Sequence, residues 1–245
     1  MKTINPLLMR ACAFVLFLGL VGAGYLAAGA APAPEKKDPP KVRKVKVGDN
    51  VTLEVQGDKR RVLINAQVVL RKGPLELFLC RKESKEHESI LNADIDARDL
   101  HKALLITGAK PGTTCEYTEK KIKPATGTAV KISVQYEEKG KTVTVPAGTW
   151  VRNMKTRKEL KENWVFAGSK FVKNVLDPKK PDIYLANYGD VITISNFEDS
   201  LLDLPIASSK DDADRSFEAN TDKIPKLETK VIVILEPILD KKNKK

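Results

Sequence analysis

Histidine and cysteine are scarce in this 245-residue chain, with two of the first and three of the second, and aromatic residues make up only 6%. One cysteine, Cys12, lies in an N-terminal apolar run, which leaves Cys80 and Cys115 for the rest. Two thiols cannot hold an iron–sulfur cluster, which needs four thiolates. No Gly-x-Gly-x-x-Gly loop cradles a dinucleotide. No Gly-x-Ser-x-Gly elbow exposes a nucleophile; the nearest run, Ala167-Gly168-Ser169-Lys170-Phe171, reads as a turn after a buried strand. Aromatic and basic residues do not interleave as a stacking surface for bases would, so no nucleic-acid partner is expected. After residue 30 no apolar run is long enough to cross a bilayer as a helix.

What is present begins with a leader. Lys2 and Arg10 precede the apolar stretch Ala11 to Ala28, and Ala28-Gly29-Ala30 offers the small-x-small pattern of signal peptidase. Residues 1–30 are thus expected to be a cleaved signal peptide and the mature chain exported, periplasmic or secreted; the alternative is an uncleaved N-terminal anchor. Residues 31–44 read as an Ala/Pro/Lys-rich linker, 45–237 as one domain, and 238–245 as a basic tail. The formal charge is +11 and much of the excess sits near the two ends. Solvated ends are the plain reading, and weak contact with anionic surfaces is the sharper one. In an oxidising compartment Cys80 and Cys115 either form a disulfide, with roughly 4 kcal/mol of loop-closure stabilisation, or remain two buried thiols.

The periodicity is mostly that of strands. Arg61 to Leu70 and Leu75 to Cys80 flank an Arg-Lys-Gly-Pro turn and read as a hairpin. Thr128 to Tyr136 alternates at period two and pairs in the same way with Thr142 to Val145. Trp164 to Phe166, Asp190 to Asn196 and Lys230 to Leu235 are further strand candidates, with Trp150 and Trp164 as core anchors. One helix is clear: Asp96 is a fitting N-cap, Leu100, Ala103, Leu104 and Thr107 recur at helical spacing, and Gly108 suits the C-terminal left-handed position. A weaker helix is placed between Ser208 and Asn220. The expected fold is α+β: a mostly antiparallel β-sheet with one clear and one weaker α-helix in a single domain.

Both histidines fall in the stretch from Cys80 to His101, beside Glu86 and Glu88. If Glu86-His87-Glu88 is extended, His87 faces one way and the two glutamates the other. Glu86, His87, Glu88 and His101 are therefore the candidate binding residues, and His87, His101 and Glu88 a candidate transition-metal set, since imidazole and carboxylate suit zinc and its neighbours. The alternatives are a core-edge histidine bonded to a carbonyl, or general acid–base use.

The runs Lys85-Glu-His-Glu-Ser-Ile-Leu91, His101-Lys-Ala-Leu-Leu-Ile-Thr-Gly-Ala-Lys-Pro-Gly112, Trp164-Val-Phe-Ala-Gly-Ser169, Tyr188-Gly-Asp-Val-Ile-Thr-Ile-Ser-Asn-Phe197 and Leu202-Asp-Leu-Pro205 resemble, in this order, the YdjY-like family of exported bacterial proteins. That resemblance implies no established activity. It adds weight to Glu86, His87, Glu88 and His101, and it differs at Asn187, where the family often carries an acid. Two functions follow as expectations. One is a non-catalytic module of the cell envelope that binds a small molecule or envelope protein, with no cofactor. The other is a metal-dependent or redox enzyme built on Glu86, His87 and His101.

Overall fold

Inward-facing valines and isoleucines alternate with outward polar residues along the long strands, and in a computed structural model they close a barrel. The structure describes residues 41–119, 121–175, 177–209, 211 and 215–239. The leader, most of the linker and residues 240–245 of the tail lie outside them. Strands run in the order β1 (Val42–Gly48), β2 (Val51–Gln56), β3 (Lys59–Val68), β4 (Leu77–Arg81) and β5 (Ser89–Ala93), followed by helix α1 (Ala97–Thr107). Then come β6 (Glu116–Tyr117), β7 (Ile122–Lys123), β8 (Ala129–Glu138), β9 (Lys141–Pro146), β10 (Val151–Asn153), β11 (Trp164–Phe166), β12 (Phe171–Val172) and β13 (Ile183–Tyr184). The last are β14 (Ile192–Thr193), β15 (Leu202–Asp203), β16 (Phe217–Ala219) and β17 (Lys230–Pro237).

Closure depends on β3. Its first part pairs antiparallel with β2, whereas Gln67 and Val68 leave β2 and pair with Asn92 and Leu91 of β5. Its other edge pairs with β17 from Val62 to Gln67. The ring then runs β3-β17-β8-β11-β15-β14-β4-β5 and back to β3, eight strands in all. Two junctions, β4–β5 and β14–β15, are parallel. The interior is filled by side chains such as Val62, Ile64, Leu79, Val134, Trp164 and Val233, as expected of a barrel of this size. Trp150 and Trp164 are buried against Phe78, at ring distances of 6.3 and 5.6 Å.

The α+β expectation is therefore wrong. The protein is mostly β, with 42% strand against 11% helix, and it is a barrel rather than an open antiparallel sheet. Periodicity finds strands but not their partners. Residues 61–70 and 75–80 do not form a hairpin: β3 lies next to β17, β2 and β5, while β4 lies between β14 and β5. The weaker helix is absent among the described residues; Phe217–Ala219 is instead strand β16, paired with β10. The hairpin of β8 and β9 does form.

Helix α1 follows its end signals. The Asp96 carboxylate accepts the Arg98 amide, and the Arg98 guanidinium beside it holds that carboxyl well below the usual range. Gly108, at φ 96°, donates to Leu105 O, and Ala109 donates to Leu104 O, a Schellman closure. Leu100, Ala103, Leu104 and Thr107 are the buried stripe, and the helix rests on β1, β2 and β3. Among the described residues no helix is long and apolar enough to cross a membrane.

Candidate functional site

Glu86 to Glu88 form a single 3-10 turn that carries the chain from the end of β4 back to the start of the parallel β5. Three residues per turn set successive side chains about 120° apart, so the run does not present two faces as an extended strand would. Lys85 Nζ donates to Asp190 Oδ1 at 2.7 Å and lies 4.5 Å from the Phe197 ring centre. Glu86 Oε1 accepts from the Glu83 amide and from Asn92 Nδ2, at 2.8 and 2.6 Å. The His87 side chain is 75% exposed, with Nε2 3.8 Å from Glu88 Oε1. Glu88 turns to Arg215, whose Nη2 is 3.4 Å from Glu88 Oε1 and 2.8 Å from Glu76 Oε1. Burial, and then the Glu88 carboxylate, push Glu76 up to about 7, while Glu88 itself is lowered. Nearby, burial and the adjacent Asp190 raise Asp199 to about 6.

His101 belongs to another environment. Its Nδ1 is 2.8 Å from the Tyr184 hydroxyl, which donates to Gly168 O, also at 2.8 Å. The phenol has one proton and gives it to the carbonyl, so Nδ1 carries the imidazole proton and donates to the phenol oxygen. The ring stands edge-on to Phe166 and Tyr184, with centroids 4.9 and 5.7 Å away, and burial lowers its pKa. His101 thus fastens α1 to the turn after β11. Among the described residues no three His, Cys, Asp or Glu side chains gather closely enough to hold a metal ion; His87, Glu88 and His101 do not converge. Asn187 caps α1: its Oδ1 accepts from the Ala97 amide and its Nδ2 donates to Asp96.

Cys80 and Cys115 are buried and not bridged. Cys80 sits among Ser84, Ser89 and Glu86, and burial raises its pKa.

A buried polar knot lies under β14 and β15. Asp203 is fully enclosed. Its Oδ1 accepts from Thr193 Oγ1 at 2.7 Å and from the Leu204 amide at 2.8 Å, and Asn196 Nδ2 is 3.2 Å from both oxygens. Asn196 Oδ1 accepts from the Ser208 amide at 2.7 Å. Burial raises Asp203 to about 7 against these donors, which lower it. The runs Tyr188 to Phe197 and Leu202 to Pro205 thus carry a structural clasp.

A large open concavity ringed by side-chain amides was not anticipated. It has a volume of about 520 Å³ and lies over the outward face of β3, β17 and β8, reaching the end of β5. Asn65, Ile232 and Gln135 are in register across three strands, and Gln67 stands opposite Asn92 of β5. Gln67 Oε1 accepts from Lys230 at 2.5 Å, Asn92 Nδ2 is taken by Glu86, and Gln135 Nε2 donates to Thr144 at 3.1 Å. Asn65 Oδ1, Gln67 Nε2, Asn92 Oδ1 and Gln135 Oε1 make no hydrogen bond to the described residues. Lys82 and Lys230 balance Asp94 and Glu137 around the rim. The only sequence signal was the pair of amides Asn65 and Gln67 at alternate positions of β3, which reads equally as a solvated surface.

In comparison with known proteins, a family model, the YdjY domain, matches residues 53–236. No curated protein and no solved structure matches the chain.

Proposed function

This chain belongs to the YdjY domain family, and on that premise we propose that it is a non-catalytic binding module of the cell envelope, exported by its leader, which takes a neutral polyhydroxylated ligand of oligosaccharide type. The observation that carries this reading is the concavity over β3, β17 and β8. Its size is that of a small-ligand site. Its side-chain amides leave three acceptors and one donor open, and a hydroxyl group, donor and acceptor at once, answers both. The balanced rim charges favour an uncharged ligand, and Ile232 and Ala66 supply apolar floor. The alternative enzyme reading rests on Glu86, His87 and His101, whose side chains reach separate partners.

The test is a titration of the protein, from residue 31 onward, with neutral oligosaccharides, read by the side-chain amide resonances of Asn and Gln. Shifts at Asn65, Gln67, Asn92 and Gln135, lost from the remaining amides in an Asn65→Ala, Gln135→Ala variant, are expected. Saturable shifts elsewhere, or none at millimolar ligand, would overturn the reading. Fractionation of cells producing the full chain tests export: cytoplasmic retention removes the envelope assignment.

A further inference from the structure

The second feature is a hairpin that leaves the barrel. After β11 the chain turns outward through Gly168, at φ 96°, and Ser169, at φ 54°. The Ser169 hydroxyl donates to Asp199 O and accepts from the Ala186 amide, at 2.5 and 3.0 Å. These bonds pin the base of a two-stranded arm in which Phe171 pairs with Tyr184 and Val172 with Ile183. Phe171 also lies on the Tyr184 ring, with centroids 4.6 Å apart, and Tyr184 is itself held by Gly168 and His101. The base is rigid, yet the arm exposes apolar groups: Phe171 is 59%, Val172 39% and Val175 81% accessible, and Tyr188 beside the base is 59% accessible. One exposed valine is unremarkable; three large apolar side chains on one projection, with Tyr188 beside it, are a patch.

Lysines surround that patch. Lys170, Lys173, Lys179 and Lys180 are all exposed, against Asp177 and Asp182 on the same arm, and Asp177 is engaged by the Lys180 ammonium at 3.8 Å. Exposed apolar side chains interspersed with lysines along one arm are the pattern that lies on an anionic bilayer surface: the apolar groups enter the acyl boundary and each ammonium reaches to the headgroup level. A protein partner with an apolar pocket would not call for lysines at both ends of β12 and in the connecting turn.

We infer that the β12–β13 arm docks the protein peripherally on an anionic lipid bilayer, with Phe171, Val172 and Val175 inserted and Lys170, Lys173 and Lys179 against the headgroups. This surface is separate from the concavity, so it holds or fails independently of the ligand reading, and it differs from attachment through the basic ends.

The experiment uses the chain from residue 31 onward, since residues 41–239 contain the complete barrel and its core. It is sedimented with vesicles of phosphatidylglycerol and phosphatidylcholine, and with vesicles of phosphatidylcholine alone. Binding is expected to the anionic vesicles only, and to fall with salt. A Phe171→Ser, Val175→Ser variant should lose roughly tenfold or more in partition coefficient, from the apolar area no longer buried. Lys170→Gln with Lys173→Gln should also cost roughly tenfold. Because Phe171 touches Tyr184, Val175→Trp provides a second readout: its emission should shift to the blue on anionic vesicles and not on neutral ones. An unchanged emission, an absence of vesicle binding, or binding that survives the arm variants and disappears only when Lys241 to Lys245 are removed would each overturn the inference.

Discussion

Two polar regions of the barrel use similar side chains in opposite ways. Around Asp203, every oxygen of the carboxyl has a donor, and Thr193, Asn196 and Leu204 converge on a group with no access to water. Across β3, β17 and β8, amides of the same chemistry each keep one end in solvent above a 520 Å³ hollow. A buried polar group without a partner costs stability, whereas an open one costs almost nothing and stays available. The first arrangement is finished by folding. The second leaves its amides open, which is why the hollow, and not the richer cluster of ionisable groups, is the site proposed for a ligand.

The sharpest way to break this contrast is Asp203→Ala. It removes the buried acceptor shared by three donors and is expected to cost about 3 kcal/mol or more, measured as a drop in the urea midpoint at unchanged slope. A loss below about 0.5 kcal/mol would mean that water replaces the carboxyl and the clasp is not closed. Arg215→Met should come next, at about 2 kcal/mol near pH 7.5, because Glu76 and Glu88 then face each other without their guanidinium. That loss should shrink at pH 5, where Glu76 is protonated.

The third expectation concerns pH in the unaltered protein. Glu76 and Asp203 have folded values of about 7, above their ordinary carboxyl values. Between those ordinary values and about 7 the native state binds more protons than the unfolded chain, so stability falls as pH rises through that window. The melting temperature should therefore be several degrees higher near pH 5 than near pH 7.5. Glu88 and Asp96, both lowered, contribute stability that is lost only at more acid pH. A melting temperature that rises steadily from pH 5 to 7.5 would contradict the buried, protonated state of Glu76 and Asp203. The smallest effect belongs to the hollow: Asn65→Ala and Gln135→Ala should each change stability by less than about 0.5 kcal/mol while removing ligand shifts. A large destabilisation from either would make the amide face a structural element like the Asp203 knot.

The parts of the fold that sequence reveals are those whose signals are local. Asp96 and Gly108 bound α1 by chemistry within a few residues of the helix ends, and the turn between β8 and β9 joins strands that pair directly. The closure of the barrel has no local signal. Strands β11, β14 and β15 are two or three residues long, too short for any period, and the step of β3 from β2 to β5 is decided by residues far along the chain. The arrangement of the candidate site residues was equally illegible. Glu86-His87-Glu88 has the same letters in a strand and in a 3-10 turn, but only the turn sends its side chains to Asn92, to solvent and to Arg215. His101 looked like a ligand because histidine is rare here; its Nδ1 proton is instead committed to Tyr184. The outward amides of β3 and β8 were visible but indistinguishable from ordinary surface until their neighbours in register were known.

The position of β17 has a consequence for biogenesis. It is the last stave of the ring, wedged between β3 and β8, which are made much earlier. Until synthesis has passed Pro237, those two strands have open edges and the apolar lining has nothing to enclose it. A polypeptide released in part cannot assemble this domain, however much of it has emerged. The ring seals only when its final strand arrives.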